Sequence, residues 1–499
     1  MDIKTNYEDY TISGEELFCQ KQVITQSNID VSQKGEISKI LFNEANSVIV
    51  KTQIIGKQIK IQGKTFVKVC YCDNENNIKG LDYVIDFTES VLTNDLLKDE
   101  TIDFKSNVID SIATIIGEEI RVQNVIQLWG YKIVSNEQKL LTQIDGAIYK
   151  TQEATIQTFE RYLNEFETIT QDISIEKPID EVILYTPKSA IISVESMENK
   201  VNIVGQISVD ILYKSNNEIE QKIEDFTFSK EIDSIGSKPV VCPYILINDS
   251  RLIIPSDMKG QIRLELDTFI KGALFNIEQK EIIEDLYSPS VNIETTKNNY
   301  EYFSKVGLTI NESRLNATAK MEDNIKKIIS ISITKEDIVP IVEQDGIFVS
   351  EGIIYASIIY INDNDETNSH IVEMPYAFEV NNSKELINCD VYPEVLVLGI
   401  YSKIKSANEV ELIVNVVSGL CNCKKIDLNG ISEVVIKEEK KECHCAIRIY
   451  KPQKGESLWD VAKRIGVGMD EISKQNNDIK DVMDGNENIL VFKEIGTSY

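Results

Sequence analysis

The chain has 499 residues, 42% apolar and 27% charged, with a formal net charge of −29 from 81 acidic and 52 basic side chains. That balance belongs to a globular chain of about three domains with some length left over, and the acidic excess repels phosphate backbones and anionic lipid. Nucleic-acid binding and direct membrane insertion are not expected, since no basic patch stands out and no stretch approaches the ~20 apolar residues of a spanning helix.

The start of the chain, Met1 to Tyr10, is acidic and polar and lacks the basic and apolar regions of a secretory signal, so a cytoplasmic location is expected. Nine cysteines are too few and odd in number for a disulfide framework, and reduced thiols are the expectation in that compartment. Histidine occurs only at His370 and His444, which argues against hydrolytic or zinc chemistry.

From the amino terminus onward a repeat organises the sequence. Gly63, Val67, Val69 and Tyr71 mark a segment that recurs as Gly205, Ile207, Val209, Ile211 and Tyr213, and again as Gly352, Ile354, Ala356, Ile358 and Tyr360. Alternation with period two predicts a half-buried strand in each copy. Upstream, Ile40-Leu41-Phe42 lies opposite the apolar run from Val182 to Tyr185; downstream, Asp86-Phe87-Thr88 recurs as Asp225-Phe226-Thr227. Each tyrosine leads into an Asn/Asp-rich stretch (Asp73 to Asn77, Ser215 to Glu218, Asn362 to Asp365) that predicts a hairpin tip. Second apolar halves follow at Glu119 to Val122, Gln261 to Leu266 and Glu409 to Val414. The spacing is that of a whole domain, which predicts a mainly β chain: tandem β-rich domains at 1–150, 151–300 and 301–445, then a small α/β module at 446–499. A helical interlude is expected near Glu153 to Glu165. The glycines are expected to admit a bend or a close backbone approach, and the tyrosines to belong to the core.

Candidate chemistry is sparse. Gly56 to Thr65 resembles a phosphate loop only superficially, because six residues rather than four separate its glycines and no helix follows. Cys70/Cys72, Cys421/Cys423 and Cys443/Cys445 are Cys-x-Cys pairs whose thiols share a strand face. Cys421, Cys423, Cys443 and Cys445 form a weak four-thiolate metal candidate, set against buried or free thiols. No catalytic constellation can be assembled, and neither enzyme activity nor a cofactor is expected.

The carboxy-terminal segment carries the most specific pattern. Ile447 and Ile449 predict a strand, Lys454-Gly455-Glu456 a turn, and Ser457 an N-cap with Asp460 three residues on. Leu458, Val461, Ala462 and Ile465 form one helical face that ends at Gly466. Met469 and Ile472 begin a second short helix ended by Asn476-Asn477, and Ile489-Leu490-Val491-Phe492 closes a βααβ unit. Through Tyr450, the Lys454 to Trp459 run, Ile465-Gly466-Val467, Glu471-Ile472 and Asn476-Asn477, this segment resembles a LysM domain. In that family a groove for N-acetylglucosamine glycans would be formed here by Gly455, Glu456, Ser457 and Leu458 with Asn477, Asp478 and Ile479. The family's Pro-Gly-Gln-type turn is replaced by Asp484 to Asn488.

The upstream repeats resemble the spore-associated DUF3794 (SPOCS) domain. Three such domains followed by one LysM domain is the architecture of the clostridial SipL group of spore-coat morphogenetic proteins. That resemblance implies a mother-cell scaffold at the forespore surface, docking through its LysM module to the coat ATPase SpoIVA and contacting other coat proteins. Trp459, with Leu458, Arg464 and Ile465 around the same helix, is the expected docking centre, or else a half-buried residue that holds the module together. Binding of cortex or wall peptidoglycan is the alternative.

Overall fold

The computed structural model describes residues 3–92, 101–255, 260–338, 342–344, 347–380, 386–388, 394–439, 447–476 and 479–492. The first repeat consists of β1 (Lys4–Asp30), β2 (Ile37–Ile55), β3 (Gln58–Asp73), β4 (Ile78–Leu92), β5 (Ile102–Ile116) and β6 (Glu119–Asp145). The second consists of β7 (Ile148–Ser174), β8 (Glu181–Met197), β9 (Lys200–Ser215), β10 (Glu218–Asp233), β11 (Pro239–Val241), β12 (Tyr244–Ile253) and β13 (Gln261–Tyr287). The third consists of β14 (Val291–Lys320), β15 (Ile325–Ile338), β16 (Val342–Gln344), β17 (Ile347–Asn362), β18 (Thr367–Val380), β19 (Leu386–Asn388), β20 (Glu394–Ser406) and β21 (Glu409–Glu439). The closing module is β22 (Ile447–Tyr450), α1 (Leu458–Ile465), α2 (Met469–Gln475) and β23 (Ile489–Phe492).

All three repeats share one antiparallel plan. A central meander (β2-β3-β4, β8-β9-β10, β15-β17-β18) faces a second sheet made by the long first and last strands (β1 with β6, β7 with β13, β14 with β21). The Gly-to-Tyr strand is the middle strand of each meander, and its inward residues meet the second apolar half. Ile207, Val209 and Ile211 pack on Ile262, Leu264 and Leu266. Ile354, Ala356 and Ile358 pack on Val410, Leu412 and Val414, and Val67, Val69 and Tyr71 on Ile120 and Val122. Each buried Val, Leu or Ile among them contributes about 1.5–3 kcal/mol of transfer free energy, so alternation on facing strands specifies the sandwich.

The tips form as the Asn/Asp clusters predict. Asp73 accepts from the backbone N–H of Glu75 and of Asn77, and Asn362 does the same for Asn364 and Glu366. Asn76 and Asp365 take positive φ. The helical interlude near Glu153 to Glu165 is not there: that segment lies inside β7, paired along its length with β13. Thr155, Ile156, Thr158, Phe159 and Tyr162 are β-formers, and ladder pairing decides over any local helical preference. The Asp-Phe-Thr recurrence is also displaced. Phe87 lies opposite Gly63, but Phe226 lies opposite Ile207, and Phe228 is the residue opposite Gly205.

The repeats converge along a common axis. β6, β13 and β21 each pack against the other two. Ile12, Leu140, Ala154, Ile156, Ile282, Tyr302 and Leu428 form one cluster drawn from all three long-strand pairs. Beside it Glu15 of the first repeat accepts from Tyr162 of the second at 3.0 Å and from Lys305 of the third at 2.7 Å. Burial raises the Glu15 carboxyl, but Lys305 and Lys105 outweigh it, and the net shift is downward. At the meander end, Leu41, Phe42, Leu184, Leu212 and Ile359 form a second shared cluster. Register slips at Leu41, Ile183 and Ile329, which recur at corresponding places among the slips of each pairing, bend these edges.

Candidate functional site

The closing module is built as its residues require. Ser457 has extended backbone, accepts from the Asp460 N–H, and with Asp460 completes a capping box at the start of α1. Gly466 ends the helix at φ 76° in the left-handed region. Leu458, Val461, Ala462, Ile472, Met483, Ile489 and Val491 form the core, with Ile465 and Ile479 packed against it.

The residues expected to form a glycan groove are largely occupied with one another. The Gly455 N–H donates to the Met483 carbonyl at 2.8 Å, the Leu458 N–H to the Asp481 carbonyl at 2.8 Å, and the Met483 N–H to the Glu456 carbonyl at 2.9 Å. The Glu456 carboxylate is buried. It accepts from Tyr450 Oη at 3.0 Å and from the Gln453 N–H at 2.9 Å, and pairs with Arg464 at 3.2 Å. The Arg464 guanidinium also lies 5.8 Å from the Tyr450 ring centre. Asn477 and Asp478 lie outside the described residues.

Trp459 turns the other way, onto the second repeat. Its Nε1 donates to Asp285 Oδ2 at 2.9 Å, and its ring meets Tyr287 edge-to-face with centroids 5.1 Å apart. Lys463 donates to the same carboxylate at 2.6 Å, and Lys297 stands 3.6 Å from it. Burial raises the Asp285 carboxyl, but Lys463, Trp459 and Lys297 together hold it below the ordinary carboxylate value. Tyr287 donates to the Val467 carbonyl at 2.8 Å, and burial pushes its hydroxyl up to about 12. Ile148 packs against the same core. Trp459 is therefore a half-buried anchor between module and repeat.

The exposed apolar surface of the module lies elsewhere. In the β22–β23 pair, Ile447 lies opposite Phe492 and Ile449 opposite Leu490. Their neighbours Ile489 and Val491 point into the core, which leaves this second face outward: Ile447 is 55%, Ile449 69% and Phe492 45% exposed. The signal for it is in the sequence. Four successive apolar residues, Ile489 to Phe492, cannot all face a core on one side of a strand.

The metal candidate does not stand. Cys421 forms a disulfide with Cys242, Cα atoms 5.6 Å apart, and Cys423 is also disulfide-bonded. The expectation of reduced thiols fails here because folding brings the second and third repeats together across 179 residues, a proximity that sequence spacing does not reveal. Cys443 and Cys445 lie outside the described residues. Among those described, no group of three or more His, Cys, Asp or Glu side chains is placed to hold a metal ion. Cys70 and Cys72 share a buried face; burial pushes the Cys70 thiol up, and the Cys72 thiol up to about 11. Tyr71, Tyr213 and Tyr360 are core residues. No helix among the described residues is long and apolar enough to cross a membrane.

Residues 36–116 and 178–244 match the family model of the SipL SPOCS domain. These segments cover β2 to β5 of the first repeat and β8 to the start of β12 in the second, and the third repeat shares their strand order. No significant match is found among curated proteins or solved structures.

Proposed function

We propose that this chain, a SipL-like and sporulation-related protein carrying SPOCS domains, is a non-catalytic scaffold of the spore coat, working in the mother cell at the forespore surface. Its three β-rich domains form the body. The carboxy-terminal module, read as a LysM domain, docks to a SpoIVA-like coat ATPase.

One observation carries this reading: the outward apolar face of Ile447, Ile449, Leu490 and Phe492, on a chain with a net charge of −29. Exposed apolar side chains contiguous on a small sheet mark an interaction surface. A glycan groove is less well supported, because the Glu456 carboxylate already has Tyr450, the Gln453 N–H and Arg464 as partners.

The test is calorimetric titration of the full chain with the purified ATPase and, separately, with muropeptides. The full chain is the right reagent because Ile148 and Tyr287 complete the module's core. Ile449→Glu is expected to weaken ATPase binding by at least about tenfold, the loss of a buried apolar anchor, with an unchanged circular dichroism spectrum. Saturable muropeptide binding without ATPase binding would replace this reading by the glycan one.

A further inference from the structure

The two edges of the β22–β23 pair are not alike. On β23, the backbone groups of Leu490 and Phe492 are taken by side-chain amides at the end of α2. Asn476 donates to the Leu490 carbonyl and accepts from the Leu490 N–H, each at 2.7 Å. Gln475 donates to the Phe492 carbonyl at 3.1 Å and accepts from the Phe492 N–H at 2.7 Å. Each amide offers one donor and one acceptor, as a neighbouring strand would, so this edge is closed.

The same bonds fix the state of the other edge. Leu490 and Phe492 turn their N–H and C=O away from β22, so their partners across the antiparallel ladder, Ile449 and Ile447, turn theirs away from β23. No hydrogen bond among the described residues reaches those groups of Ile447 and Ile449. The side chains of both residues belong to the outward apolar face, so one strand presents an unpaired backbone and an apolar row together. That combination is a template for a further strand, with main-chain bonds for affinity and alternate side chains for specificity. Charge narrows the occupant. From Ile447 to Gly455 the sequence carries Arg448, Lys451 and Lys454 and no carboxylate, within a chain of 81 acidic and 52 basic side chains.

We propose that β22 takes an extended, acidic segment of the docked partner as a third strand of this sheet. The segment's backbone pairs with the N–H and C=O of Ile447 and Ile449, its apolar side chains lie beside those two residues, and its carboxylates face Arg448. One strand is accommodated, because Gln475 and Asn476 already close the β23 edge. The inference rests on the reading of this face as the docking surface and deepens it: the contact is a backbone ladder as well as an apolar patch.

The test uses the full chain and the purified coat ATPase. Hydrogen exchange, read residue by residue through fragmentation mass spectrometry, should slow at the Ile447 and Ile449 amides by at least about tenfold in the complex and change little at Leu490 and Phe492. Ile449→Pro removes an N–H that the β22–β23 ladder does not use, and proline is tolerated on such an edge. It should bind the ATPase at least about tenfold more weakly than Ile449→Ala, which shortens the side chain but keeps the N–H. Arg448→Glu should weaken binding about tenfold by setting like charges side by side. The exchange measurement needs no substitution and decides if Ile449→Pro does not fold. ATPase binding that leaves the Ile447 and Ile449 amides unprotected, or equal affinity of the Pro and Ala variants, would overturn the added strand and leave the docking face standing. Arg448→Glu binding as tightly as the parent would overturn the acidic segment. A parent chain that does not bind the ATPase would overturn the docking reading itself, and this inference with it.

Discussion

Gly205 shows how one position earns its place in a repeat. An added Cβ there would lie 2.2 Å from the Phe228 ring, and at Gly63 it would lie 2.3 Å from the Phe87 ring. In the third repeat Gly352 pairs with Tyr376 of β18. In the first two repeats the middle strand thus holds a glycine covered by an aromatic ring from the neighbouring strand, which restores the packing that a bare backbone lacks. Gly205→Ala is expected to displace the ring and cost about 1–3 kcal/mol, the usual penalty for overpacking, measured by urea unfolding. An unchanged midpoint would mean that the ring can swing aside freely. The close approach is legible in the sequence; its partner is not, because the Asp-Phe-Thr recurrence points to Phe226, whereas the ladder delivers Phe228.

Elements of this chain are tied by a few polar anchors as well as by apolar faces. α1 meets β13 through Asp285, which accepts from Trp459 and Lys463. Asp285→Ala should strip that acceptor, red-shift tryptophan emission and loosen the module, at a cost of about 1–3 kcal/mol. Emission unchanged from the parent chain would show that Tyr287 and Ile148 suffice. The sign of the pH effect follows from the lowered Asp285 carboxyl: its contribution is present above the ordinary carboxylate value and is lost on acidification. The caps and lengths of both helices are readable from Ser457, Asp460, Gly466 and Asn476. A half-buried, holding role for Trp459 is one of the two readings the sequence offers; its partner Asp285, 174 residues away, is not legible there.

For the whole molecule, the junction of the three repeats carries the main pH dependence that can be argued from buried charge. Burial and Glu336 outweigh Lys188 and push the Glu44 carboxyl up to about 7 from an ordinary value of 4.5, with Lys68 of β3 a smaller opposing influence. The folded chain therefore holds this proton more tightly than the unfolded one. The resulting stability is fully present below 4.5 and is lost as pH rises through about 7. Glu44→Gln should flatten that slope and raise stability at mildly alkaline pH by about 1–3 kcal/mol, while Lys188 keeps Glu336. Lower stability of the variant under those conditions would show that the charged form of Glu44 is needed to hold Lys188.

The sequence by itself determined the mainly β class, the hairpin tips, the alternating apolar strands of each repeat and the βααβ order of the module. All of these follow from short-range periodicity and local turn or capping chemistry, which a single stretch of chain contains. Tertiary structure decided the rest: β7 in place of a helix, the Cys242–Cys421 link, Trp459 turned onto Asp285, and Glu44, Lys188 and Glu336 brought around one cavity. Each of these joins residues far apart in the chain, and no local pattern encodes which distant partner a side chain will meet once the strands have paired.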